Sequence, residues 1–61
     1  MVIGTKIKAL CKERGTSVRA VELATGLGNG VIMKWDKSDP GALKLKRVAD
    51  YFGVTVDFFL A

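Results

Sequence analysis

The residues in this chain that could do chemistry are cations and amides rather than nucleophiles or metal ligands. There is no His, and Cys11 is the sole cysteine. Neither a metal centre nor a nucleophile–base pair can be assembled from that set, and no glycine-rich phosphate loop is present. Asp36 and Asp39 fall near each other and read as a loop feature, not an acid/base dyad. What remains is ten Lys and Arg against six Asp and Glu, a net charge of +4 on 61 residues. A positive surface on so small a body attracts polyanions without choosing among them. These observations point away from catalysis, from a cofactor and from a small-molecule substrate.

Geometry enters between Ser17 and Lys37. Two short segments of helical length flank the tight Gly26-Leu27-Gly28 turn, and a connection this short makes two helices cross steeply. Such a pair can lay its first helix across a phosphate backbone and project its second into the major groove. That groove admits a helix and shows a distinct donor and acceptor pattern at each base pair. Lys34 and Lys37 on the second segment would be aimed at it. For Lys6, Lys8, Lys12 and Arg14 a solvated face is the favoured reading.

Five elements would position these groups, and none shows a sustained period of two. Ile3, Ile7, Leu10 and Cys11 form one apolar stripe, which predicts a helix over about 3–14 ended by Gly15. A second helix is expected over about 17–25, with Ser17 as cap and Gly26 as terminator. It offers two stripes, Val18/Val21/Thr25 and Ala20/Leu23/Ala24/Leu27, and Leu23 is a candidate for exposure. The third is expected over about 29–37, with Leu27, Ile32 and Trp35 inward and Asn29, Gly30, Met33, Lys34 and Lys37 on other faces. Within it Gly30 costs roughly 1 kcal/mol relative to Ala, which suggests a close approach at that point. Leu45, Val48, Ala49 and Phe52 predict a fourth helix over about 41–52, and a fifth is expected over about 56–60 with Thr55 as cap. The expectation is an all-α, orthogonally packed bundle forming one domain over 1–61.

The chain contains no repeat and no linker-like stretch. Val54–Leu60 is far too short to span a membrane and carries Asp57. A lone thiol without a signal peptide fits a reducing, cytoplasmic setting. Cys11 lies on the inner stripe and reads as an inert small hydrophobe.

The string Leu27-Gly-Asn-Gly-Val-Ile-Met-Lys-Trp35, followed after a short loop by Val48-Ala-Asp-Tyr-Phe-Gly-Val-Thr-Val-Asp-Phe-Phe-Leu60, resembles the Cro/repressor-type helix-turn-helix family. This is the lambda-repressor-like, XRE-type class of phage and bacterial regulators. The likeness covers nearly the whole chain, about 3–60, and its C-terminal string is the more specific half. It implies a five-helix lambda-repressor-like domain that binds a double-stranded DNA operator, usually as a symmetric dimer.

Carried over position by position, the resemblance implies base contacts from Asn29, Gly30, Met33 and Lys34. Asn can pair with adenine, Lys with guanine acceptors, and an apolar side chain with a thymine methyl. It implies backbone contacts from Ser17 and Arg19, at the start of the second helix, and from Lys37 and Lys44, which bracket the loop after the third. The chain departs from the family pattern at four positions. Gly28 stands where a Ser or Thr cap is common, Val31 and Met33 where polar residues are common, and Glu22 where a small Ala lets the two helices pack closely.

Other roles compete for the same residues. Trp35 could be a base-stacking platform, but its spacing with Ile32 favours the core. Phe58 falls on a different face from Phe59, and with Val54 and Val56 it would make an apolar patch for a homodimer. The alternative to a DNA-binding regulator is a protein-interaction module with the same fold and no DNA function. Val31, Met33 and Leu23 would then be its binding patch.

Overall fold

A computed structural model describes residues 2–60. The described residues form five α-helices and no strand. The first helix, α1 (Ile3–Glu13), follows its stripe, with Ile3, Ile7, Leu10 and Cys11 all buried. It ends one residue earlier than expected, with Arg14 as its C-cap. Gly15 then takes a left-handed φ of +71°, and the Thr16 N–H reaches back to the Cys11 carbonyl at 2.9 Å. That is the termination a glycine allows at no steric cost. Burial also pushes the Cys11 thiol pKa up, as expected for a group whose charged form is poorly solvated.

The second helix, α2 (Val18–Thr25), begins after Ser17, which is the cap itself and not the first helical residue. Its Oγ accepts from the Ala20 N–H at 3.1 Å. Gly26 ends α2 in the left-handed region. Of the two possible stripes, the side carrying Val21 and Glu22 is the buried one, while Leu23 is 66% exposed.

The third helix, α3, is only Val31–Lys34, so the expected helix over 29–37 is a correction at both ends. Gly30 has a φ of +80° and cannot belong to a right-handed helix. Beyond Lys34 the chain tightens into a turn, with Trp35, Asp36 and Lys37 donating three residues back to Ile32, Met33 and Lys34 at 3.0, 3.5 and 3.0 Å. Such tighter turns often follow a short helix.

The fourth helix, α4 (Ala42–Phe52), starts one residue later than expected because Gly41 is extended. It ends at left-handed Gly53, where the Arg14 guanidinium donates to the freed Phe52 carbonyl at 3.3 Å. The fifth, α5 (Val56–Leu60), sinks Phe59 fully and leaves Phe58 51% exposed. In the assembled body α1 packs on α2, α3 and α5, while α2 packs on α3 and α4. Leu27, Ile32 and Trp35 join the shared core, which settles Trp35 as a packed residue. Among the described residues no helix is long and apolar enough to cross a membrane.

Candidate functional site

The candidate site is built from α2, the turn over 26–30 and α3. Leu27 is the plug that holds the turn down, buried between exposed Gly26 and exposed Gly28. Its N–H bonds to the Glu22 carbonyl at 2.9 Å. Gly30 was expected to mark a close approach inside a helix. A Cβ built there would meet nothing within 4 Å, so the backbone angle, not lack of space, calls for glycine.

A helix of four residues leaves nearly all its amides without intrahelical partners. Gly28 brings no side chain to cap α3, and Gly30 as its N-cap brings none either. The missing acceptor comes from α2. The two oxygens of Glu22 accept from the Gly30 N–H at 3.3 Å and the Ile32 N–H at 3.1 Å. The Glu22 side chain is 2% exposed, and Arg19 sets a guanidinium nitrogen 3.6 Å from its Oε1. The helix without a side-chain cap of its own is thus served by the buried carboxylate of the helix before it. The sequence does hold a signal for this. A Glu on the inward side of α2 demands hydrogen-bond donors, because an unpaired buried carboxylate is costly.

Asp36 acts on α1 in the same way. No side chain of its own N-cap, Val2, serves α1. Instead Asp36, just past α3, accepts from the Thr5 N–H at 2.8 Å and the Thr5 hydroxyl at 2.6 Å. The hydroxyl bond, followed by the amide bond, holds the Asp36 carboxyl below the usual carboxylate range. Beneath this pair Gly4 is buried, and a Cβ on it would lie 2.6 Å from the Ile32 carbonyl oxygen. The close crossing of α1 and α3 depends on that missing methyl. Neither Gly4 nor the reach of Asp36 back to Thr5 was evident from sequence spacing.

Each expected contact residue has a definite place. Asn29 is exposed in the turn, Gly30 is half-buried at the helix start, and Met33 and Lys34 are exposed on α3. Lys37 is exposed in the turn that follows, and Lys44 is exposed on α4. Ser17 spends its Oγ on the α2 cap, and the Arg19 side chain is half exposed beside Glu22. Val31 is half-buried against the core, while Met33 and Leu23 are large apolar residues left exposed in this region.

Of the residues expected at a dimer interface, Phe58 is exposed. Val54 and Val56 are half-buried against the core. Val56 lines a groove with Ile3, Pro40 and Leu60, whereas Phe58 lines another with Lys6, Ala9 and Glu13. Two residues apart on a helix means roughly 200° apart around it, which puts Phe58 on a different side of α5 from Val56.

No protein-family model, curated protein or solved structure gives a significant match to the chain.

Proposed function

We propose that the chain binds double-stranded DNA in a sequence-specific manner, as a Cro/repressor-type helix-turn-helix regulator, with α3 and the turn before it in the major groove. One observation carries this reading. Leu27, Ile32 and Trp35 are buried while Asn29, Met33 and Lys34, interleaved with them over nine residues, are exposed. A single short element therefore has an anchored side and a free side. The free side offers an amide, a cation and a thioether, which suit adenine, guanine and a thymine methyl respectively. Arg19, Lys37 and Lys44 supply exposed cations for the phosphates. A homodimer would set two such elements about 34 Å apart on a near-palindromic site. Selection of bound sequences from random duplex DNA tests the proposal. Recovery of a defined motif by the wild type, and its loss in Lys34→Ala/Lys37→Ala with the fold intact, is the expected result.

A second reading, a protein-interaction module, draws on Leu23 at 66% exposure and Met33 at 41%. A partner bound through these residues would be lost on Leu23→Ser/Met33→Ser and kept in the double lysine variant.

A further inference from the structure

We propose that Glu22 is the positioning residue of the exposed α3 face: its carboxylate sets where Asn29 and Lys34 stand relative to α2. This rests on the DNA-binding reading and adds the device that would hold the reading surface in place.

A four-residue helix is far too short to sustain itself, since the first hydrogen-bonded turn is the costly one. Its geometry must be imposed from outside. Trp35 and Ile32 anchor the inward side of α3, but apolar packing fixes depth better than rotation. Directional constraint at the start of α3 comes from Glu22, whose two oxygens bind the amides of Gly30 and Ile32. Those amides flank Val31 and immediately precede Met33 and Lys34, so releasing them frees the segment bearing the outward side chains. The Ile32 bond is buried, and water cannot readily replace the carboxylate there. Arg19 completes the arrangement: one guanidinium nitrogen lies 3.6 Å from Glu22 Oε1, and the side chain is half exposed. The same ion pair thus links a residue suited to a phosphate with the amides that orient α3.

The sign of one measurement separates this role from plain electrostatics. On charge alone, removing a carboxylate from a DNA-binding protein strengthens binding. If Glu22 positions α3, removing it weakens binding. Glu22→Asp keeps the charge but shortens the reach by one C–C bond, about 1.5 Å, too far for both amides. Glu22→Gln loses the charge but keeps the length and one acceptor.

The three proteins are compared on a duplex selected by the wild type. Fluorescence anisotropy is read at two salt concentrations, at a temperature where circular dichroism shows each to be folded. Amide proton shifts of Gly30 and Ile32 are recorded for the free proteins. The expected result is about a tenfold loss of affinity for Glu22→Asp, the scale of one lost buried hydrogen bond. Glu22→Gln loses less than that but remains weaker than wild type, the salt slope is unchanged, and both amide protons move upfield in Glu22→Asp. Affinity equal to wild type in Glu22→Asp, or tighter binding in Glu22→Gln, overturns the role of Glu22 and leaves the DNA reading standing. Should Glu22→Asp fail to fold, the sign of the change in Glu22→Gln decides. A wild type that holds no duplex overturns both.

Discussion

Replacing Gly4 by Ala sets helix propensity against packing. In an exposed helix interior the change gains about 1 kcal/mol. Here the new Cβ would lie 2.6 Å from the Ile32 carbonyl oxygen and 3.3 Å from the Met33 Cα. Ordinary contact begins at 3.4 Å, so the crossing must open by 3.4 − 2.6 = 0.8 Å at the carbonyl. The obstacle is backbone, and no rotamer change can relieve it. Overpacking of this kind costs about 1–3 kcal/mol. Moving α1 off α3 also strains the Thr5–Asp36 bonds at 2.6 and 2.8 Å, a further loss of about 0.5–1.5 kcal/mol for each bond broken. With one of the two bonds broken and after the propensity gain, a net loss of about 0.5–3.5 kcal/mol remains, a fall in melting temperature of roughly 4–28 °C at about 8 °C per kcal/mol for so small a domain. Thermal unfolding followed by circular dichroism reads it directly. A melting temperature equal to or above wild type would refute the close crossing, since propensity alone would then have decided the outcome. Gly41→Ala is the control, because a Cβ there meets nothing within 4 Å and φ is negative. Gly41 is the N-cap of α4, where Ala costs about 0.5–1 kcal/mol relative to Gly, so the melting temperature should fall by only about 2–8 °C.

Four further outcomes follow from the same geometry. Gly30→Ala should cost about 1–2 kcal/mol through its φ of +80° alone, with no steric neighbour involved; chemical denaturation would show it. Trp35→Ala, at a site 5% exposed, should cost about 3–5 kcal/mol and unfold much of the protein at room temperature; an unchanged melting curve would remove Trp35 from the core. Asp36 has a carboxyl held low by Thr5, so its stabilising effect is present above the unfolded pKa of about 3.9 and is lost as pH falls through the folded value. Asp36→Asn should therefore flatten the fall of melting temperature with acidification below about pH 4, whereas curves parallel to wild type would contradict the assignment. Under the proposed reading, Arg19, Lys37 and Lys44 of both subunits of a homodimer would make about six phosphate contacts, so log affinity for duplex DNA should fall with log salt at a slope of about −5, and Lys37→Ala, which removes two of them, should reduce that slope by about 1.8.

The sequence made α1 and α4 legible because each carries a full stripe at helical spacing, all of which is buried. Gly15 and Gly26 marked two helix ends correctly because left-handed backbone at a helix end selects glycine. The extent of α3 was not legible. Ile32 and Trp35 are three residues apart, a spacing that a four-residue helix running into a tight turn satisfies as well as a long helix does. Gly30 could be read as a weak helical residue or as a left-handed cap, and the local pattern does not distinguish them. The caps supplied by Glu22 and Asp36 lay further out of reach, since each serves a helix that is not its own. Their partners are set by how α1, α2 and α3 cross, and the crossing of α1 and α3 depends on Gly4. For the contact residues, exposure of Asn29, Met33 and Lys34 followed from the periodicity around Ile32. The division of Val56 from Phe58 followed from helix geometry that the apolar composition of the C-terminal segment masked.

The outward side of α3 is the surface proposed to meet DNA. Titration of the isotopically labelled protein with a duplex selected from random sequence, followed by amide chemical shifts, tests this residue by residue. The largest changes are expected at Asn29, Gly30, Met33 and Lys34, with smaller ones at Ser17, Arg19, Lys37 and Lys44. Changes confined to Phe58 and its groove beside Lys6 and Ala9, or no change with any duplex, would contradict it.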